Sequence, residues 1–364
     1  MFEGLSNIIE IDLSNLDTSS VTSLKTMFYN CKSLKYINFN NTNTSSVNNM
    51  SSMFEGCISL ISLDLSNFDT SNVKYMDSMF KDCEFLTSLN LTNFKTPKLQ
   101  KMNIMFSGCA LLESLDLNSF DTSLVNDMTS LFSGCKELRF LNLSNFNTSK
   151  VKSMNNIFFQ CSSLSSIDIS NFDTSSLTDM RSMFSQCYRL TSLNLTNFST
   201  SKAKSMDYMF NECHSLIFID LSSKFQSSKL ESLEYMFNGC TSLKSLDLSK
   251  FNLSKKKLAF LFNECNSLTS INFYKSNILK GAIDNMFSGC TLLTSINLKY
   301  FDFSLVTSME YLFKGCSSLT SLDLSNMKAI LVTSMRNMFE RCESLKKLNL
   351  TNFSTPSVTN LNSM

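Results

Sequence analysis

Thirteen cysteines recur along this chain, at positions 31, 57, 83, 109, 135, 161, 187, 213, 240, 265, 290, 316 and 342. The first seven gaps are each 26 residues, and the next five are 27, 25, 25, 26 and 26. A phenylalanine stands three residues before every one, from Phe28 to Phe339, and a leucine three residues after, from Leu34 to Leu345. Phe2 and Leu5 begin a further copy, with Leu5 in the cysteine position. A 26-residue unit is too small to bury its own apolar stripe, so such units must stack and hide their side chains against one another. The 364 residues therefore read as a single array over 1–364, fourteen copies long, where an ordinary chain of this length would form one or two globular domains.

Within one copy, Met53 to Ser78, the residues Leu63, Asp64, Leu65 and Ser66 alternate apolar and polar, as a half-buried strand does. Asn67 and then Asp69, Thr70 and Ser71 supply turn and capping chemistry. Val73, Met76, Phe80 and Cys83 follow at intervals of three, four and three, the spacing of one face of a short helix, α or 3₁₀. Each copy is thus expected to run strand, turn, helix, with neighbouring strands about 4.8 Å apart in a parallel sheet.

The residues Met53-Phe54, Cys57, Leu60 and Leu63-Asp64-Leu65-Ser66-Asn67-Phe68-Asp69-Thr70-Ser71, repeated with small changes along essentially the whole chain, resemble the leucine-rich repeat class. Within that class they are most similar to the BspA-like group and to the 26-residue repeat of bacterial and mycoplasma surface lipoproteins. The resemblance implies an α/β, leucine-rich-repeat-like solenoid of about 14 strand–turn–helix coils with a parallel sheet along one face. It also implies a cell-surface or extracellular location and a use in adhesion or host-protein binding. Met1 and Met364 both occupy the Met position of the repeat, so the chain opens and closes in mid-repeat. It reads as a piece of a longer protein, with any export signal or anchor lying outside it.

The array drifts between about 222 and 283. The Asp-Thr-Ser box gives way to Lys224-Phe225-Gln226 in one copy and Asn252-Leu253-Ser254 in the next, followed by Lys255, Lys256 and Lys257. These three lysines are expected to form a solvated turn, with a local kink or basic contact patch as the alternative.

Little in the chain supports catalysis or a cofactor. A 26-residue cysteine spacing is not a zinc or redox motif, and the thiols are expected to be free, buried and to act as small apolar groups. His214 is the one histidine; it follows Cys213, but its position in the repeat reads as surface, so no nucleophile pair is expected. Lys and Arg number 32 against 31 Asp and Glu, a net charge of +1, which leaves no electrostatic footprint for nucleic acid. No apolar run of about 18 residues exists, so no membrane insertion is expected. Neither enzyme activity nor a metal or cofactor is expected.

The strand face is the candidate site. Its central polar residue is Asp or Asn in every copy, and from Asp12, Asn38, Asp64, Asn90, Asp116, Asn142, Asp168 and Asn194 to Asp220 the two alternate strictly. Carboxylates stacked about 5 Å apart would repel by about 1 kcal/mol each in a water-like medium. Interleaved amides would double that spacing and donate to the carboxylates, forming a ladder. The flanking outward positions are mostly Ser or Thr, interrupted by Tyr36, Phe140 and Phe218. The expected partner-binding set is Asp64, Asn90, Asp116, Phe140, Asn142, Asp168, Asn194, Phe218 and Asp220, acting on a protein or glycan ligand, with the two phenylalanines as anchors. The alternative is an inert face on a structural spacer that projects another domain. Asn90, Asn142, Asn194 and Asn349 also begin N-x-S/T sequons, which argues against passage through a glycosylating route.

Overall fold

The computed structural model describes residues 2–221 and 224–364. The chain forms two compact units, Met1–Leu177 and Thr178–Met364. Each is a leucine-rich-repeat-like β-solenoid with parallel strands, and its core is a set of columns that run from coil to coil.

The phenylalanine column is the clearest. In the first unit Phe2, Phe28, Phe54, Phe80, Phe106, Phe132 and Phe158 stack face to face, with centroids 5.4–5.7 Å apart. In the second, Phe184, Phe210, Phe237, Phe262, Phe287, Phe313 and Phe339 do the same at 5.5–6.0 Å. Such parallel contacts hold only if every copy places its ring at the same point of the coil. Columns of Met, Leu and Cys flank the rings and are buried with them.

The strands are short. In the first unit β1 (Glu10–Asp12) pairs with β2 (Tyr36–Asn38), β3 (Ser62–Asp64) with β4 (Ser88–Asn90), and β5 (Ser114–Asp116) with β6 (Phe140–Asn142), all parallel. In the second, β7 (Ser192–Asn194) pairs with β8 (Phe218–Asp220) and β9 (Ser245–Leu248) with β10 (Ser270–Phe273). There β11 (Asn277–Ala282) also pairs with β12 (Phe301–Ser308), and β13 (Ser321–Asp323) with β14 (Lys347–Asn349). The sheet expected to run unbroken is therefore divided into two-stranded pairs.

The helix expected after the turn is absent: among the described residues there is none. The three–four–three spacing is met instead by a chain of tight turns. From Ser52 to Cys57, the N–H groups of Ser52, Phe54 and Gly56 donate to Asp77, Met79 and Lys81 in the next coil, at 2.8–2.9 Å. Those of Met53, Glu55 and Cys57 donate three residues back within the coil, at 3.0–3.3 Å. A helix directs all its N–H groups along its own axis; here every second one is spent on the neighbouring coil. Ser52 and Gly56 take left-handed φ values of 53° and 75°, and Ser78 and Asp82 repeat this at 56° in the following coil. A left-handed residue every fourth position stops a right-handed helix from propagating.

The Asp-Thr-Ser box works as a clamp between coils. Asp69 Oδ1 accepts the N–H of Ser71 at 2.9 Å, closing the turn. The buried Thr70 hydroxyl accepts the N–H of Lys95 and donates to its carbonyl, both at 2.9 Å. Thr44, Thr96 and Thr122 repeat this double bond with Asp69, Asp121 and Asn147. In one copy where the box is replaced the chain extends: Phe301–Ser308, reading Phe-Asp-Phe-Ser-Leu-Val-Thr-Ser, becomes β12 and buries Phe301, Phe303 and Val306.

All thirteen thiols are free. They are more than small apolar groups. Cys57 Sγ donates to the carbonyl oxygen of Phe28 at 3.1 Å and Cys83 Sγ to that of Phe54 at 3.2 Å. Cys109, Cys135 and Cys161 continue the series in the first unit, and Cys213, Cys240, Cys265, Cys290, Cys316 and Cys342 carry it in the second. Each such carbonyl also accepts the N–H of the cysteine in its own coil, so both its lone pairs are used in a buried place.

The drifting stretch is partly described; Ser222 and Ser223 lie outside the described residues. Its lysine run corrects the expectation of a solvated turn. Lys255 and Lys257 are exposed, but Lys256 is only 6% exposed. The coil from Cys240 to Cys265 is one residue short. Lys256 stands 16 residues after Cys240, as Val47 and Val73 do after Cys31 and Cys57, and so takes the place of the column's valine or leucine, its N–H turning back to Leu253 O at 3.4 Å. Its Nζ donates to Leu230 O at 2.9 Å, and burial pushes the ammonium down from its ordinary value.

Candidate recognition surface

The strand-face residues are set by the same alternation that buries their neighbours. In β3 the pattern is exposed, buried, exposed, which turns Ser62 and Asp64 outward while Leu63 enters the core. Register then fixes who meets whom. Asp64 lies opposite Asn90, and Asp116 opposite Asn142 with Phe140 beside Ser114. In the second unit Asn194 lies opposite Asp220 with Phe218 beside Ser192. Asp168 belongs to the first unit but lies outside the strand pairs. Of the nine expected residues, the first unit thus holds Asp64, Asn90, Asp116, Phe140, Asn142 and Asp168, and the second holds Asn194, Phe218 and Asp220.

Every strand pair that includes the polar row joins one Asp to one Asn. The other such pairs are Asp12 with Asn38, Asp247 with Asn272 and Asp323 with Asn349. Like carboxylates are never bonded neighbours in these pairs, as charge repulsion requires. The amide–carboxylate ladder, however, is secondary. Asp64 Oδ1 accepts the N–H of Ser66 at 2.9 Å, Asn90 Oδ1 that of Thr92 at 3.2 Å, and Asp116 Oδ1 that of Asn118 at 2.9 Å. Asn142, Asp168 and Asn194 do the same with Ser144, Ser170 and Thr196. Each side chain first closes the turn that ends its own strand. The Ser66 backbone N–H, then its hydroxyl, hold the Asp64 carboxyl below the usual carboxylate range, and the Asn90 amide adds a smaller pull.

Phe140 is 59% exposed and Phe218 57%, in strands whose other outward residues are small or polar. Reading the strand positions alone missed Phe85, 54% exposed, and the exposed Leu111. They occupy the second position after the cysteine in consecutive coils, where most copies carry Ser, and comparing copies slot by slot would have found them. His214 is exposed and stacks on Tyr188 at 5.0 Å, while the Cys213 thiol is engaged by Phe184, so the two form no pair. Among the described residues, no group of three or more His, Cys, Asp or Glu is placed to hold a metal ion. Nor, among them, is any helix long and apolar enough to cross a membrane.

A family model described as Mycoplasma protein of unknown function, DUF285, matches residues 1–115, 105–217, 191–280 and 281–364, and so spans the whole chain. The chain belongs to this Mycoplasma family. The resemblance to mycoplasma surface repeats read from Met53 to Ser71 thus meets a family model along its full length. No curated protein matches the DUF285 chain. Its structure is similar to that of a leucine-rich cell surface protein from Faecalibacterium prausnitzii A2-165, at 18% identity and a TM-score of 0.48, covering 94% of this chain and 88% of that one. It is also similar to a leucine-rich repeat protein from Bacteroides ovatus ATCC 8483, at 20% identity and a TM-score of 0.42, covering 99% and 76%. A third, a leucine-rich repeat protein from Eubacterium ventriosum ATCC 27560, shares 13% identity over 94% and 78%, with a TM-score of 0.33.

Proposed function

We propose that the strand face of each unit is a non-catalytic recognition surface for a protein or glycan partner, displayed at the cell surface, with Phe140 the anchor in the first unit and Phe218 the anchor in the second. The observation that carries the reading is the exposure of those two rings on strands that are otherwise short and polar on their outer side. A large ring left in water adds nothing to the fold and gains most by entering a partner's pocket. Asp64, Asn90, Asp116, Asn142 and Asp168 supply the surrounding polar contacts in the first unit, and Asn194 and Asp220 in the second. Many modest contacts on a preformed surface add without further ordering cost.

The second reading is a structural spacer. It is favoured by the use of the Asp and Asn Oδ1 atoms in the chain's own turns. The two readings separate on one experiment. The labelled chain is applied to intact cells and to an immobilised glycan array, beside a variant carrying Phe140→Ser and Phe218→Ser. The recognition reading expects the parent to be retained and the variant to lose about tenfold in affinity, with an unchanged thermal midpoint. Equal retention of both, or no retention of the parent, leaves the spacer.

A further inference from the structure

The second unit carries another surface, away from its strands. The left-handed position five residues before the cysteine holds Ser52, Ser78, Ile104, Ser130 and Asn156 in the first unit. In the second it holds Tyr208, Tyr235 and Phe260, then Asn285 and Tyr311. Tyr208 stacks on Tyr235 at 4.7 Å, and Tyr235 on Phe260 at 4.5 Å, with the rings within 8° of parallel. The position just before these holds Asp207, Glu234, Ala259, Asp284 and Glu310. An aromatic column therefore runs beside an acidic one.

Two observations define what this strip takes. The first is an open ring face. The coil preceding Tyr208 has Ser182 in the same position, too small to cover a ring, and Tyr208 is 40% exposed. Arg181, the guanidinium of that coil, is held by Asp179 at 2.9 and 2.7 Å, with Asp207 acting on its charge as a lesser neighbour. Among the described residues no cation lies over Tyr208, Tyr235 or Phe260. The second is the behaviour of the same column further along. There the chain covers Tyr311 with its own cations, Lys314 at 5.1 Å and Arg336 at 5.8 Å from the ring centre. Burial, then Tyr235 and the charges of Asp207 and Glu234, push the Tyr208 phenol up, which places both carboxylates close to that ring. Asp207 Oδ1 accepts the N–H of Glu234 at 2.9 Å, which fixes the carboxylate beside the stack.

We propose that this strip docks an arginine of a partner polypeptide, its guanidinium laid flat on Tyr208 as the next layer of the stack and its charge answered by Asp207. A planar guanidinium can lie flat on the ring and bond the carboxylate with its edge at the same time, whereas an ammonium meets the ring only as a point charge. The strip shares no residue with the strand-face set, so it stands or falls independently of the strand-face reading.

The test is fluorescence anisotropy of a labelled four-arginine peptide against the intact chain, with four-lysine and four-glutamate peptides and phosphatidylcholine vesicles alongside. The parent is expected to bind the arginine peptide most tightly. Tyr208→Ala should weaken it about fivefold and Asp207→Asn should weaken it in a salt-sensitive way. Tyr208→Phe and Phe140→Ser should leave it unchanged, all with native circular dichroism. Equal affinity for arginine and lysine peptides, undiminished binding by a folded Tyr208→Ala, or binding to the vesicles alone would overturn the proposal.

Discussion

Phe132→Ala is expected to lower the stability of the chain by about 3–5 kcal/mol, read as a shift in the denaturant midpoint. The ring is fully buried between Phe106 and Phe158, 5.7 Å from each. Deleting it removes contacts on both faces and leaves a hole that the backbone has little freedom to close. The Phe132 N–H is bonded to Ile157 O at 2.9 Å, and its carbonyl is held by the Cys135 N–H at 3.1 Å and the Cys161 thiol at 3.2 Å. Those three bonds pin the coil at the site of the cavity, which argues for the upper half of the range. Phe140→Ala, eight residues on, is the internal comparison: with its ring mostly in water, it should shift the midpoint by less than about 0.5 kcal/mol. Equal effects at the two positions would mean that the inward assignment of the Phe132 column is wrong.

The second large effect is alkaline unfolding. Burial pushes the Cys57 and Cys135 thiols up to about 12 and Cys342 to about 11, and raises Cys83, Cys109, Cys213, Cys240, Cys265, Cys290 and Cys316 well above the ordinary 9.0. Below pH 9.0 both folded and unfolded chains keep these protons, and the full stability is present. Above it the unfolded chain releases them while the folded chain retains them, so stability falls as pH rises toward the folded values. Each thiol contributes a slope of about 1.4 kcal/mol per pH unit. Several acting together would remove a typical stability of about 5–15 kcal/mol within one to two units. Lys256 opposes this: its lowered folded value makes stability rise between that value and 10.5, but it is one group against many. Thiolate absorbance should therefore appear together with the loss of circular dichroism, in one transition above pH 9. A gradual rise in thiolate absorbance from pH 8.5 to 9.5 with the fold intact would contradict the buried column.

The columns were legible because the period is strict: Phe, Cys and Leu hold the places of Phe54, Cys57 and Leu60 in all thirteen cysteine-bearing copies, with Leu or Ile at the place of Leu63, and only stacking explains that. The helix was misread because the spacing of Val73, Met76, Phe80 and Cys83 suits a run of tight turns as well as a helical face. The difference lies in φ at Ser52, Ser78 and even Ile104, residue types that carry no left-handed signature. Gly56, Gly108, Gly134, Gly239, Gly289 and Gly315, each directly before its cysteine, were the hint. The thiol–carbonyl bonds were invisible for a similar reason, since a column of small side chains looks alike whether or not it donates. Lys256 could have been placed by counting, because it stands 16 residues after Cys240, where Val47 and Val73 stand after Cys31 and Cys57. The Asp–Asn alternation put an amide opposite each carboxylate of the paired strands, but it told neither which neighbours would pair nor that Asp64 and Asp116 would spend their first oxygen on their own turns.

Thiol counting at neutral pH tests the stacked columns most directly. With an excess of a thiol reagent, the native chain should react at few of its thirteen cysteines, Cys342 foremost because it is the least covered, and at all thirteen once denatured. Prompt reaction of most of the thirteen in the folded chain would show that neighbouring coils do not seal the seam between them.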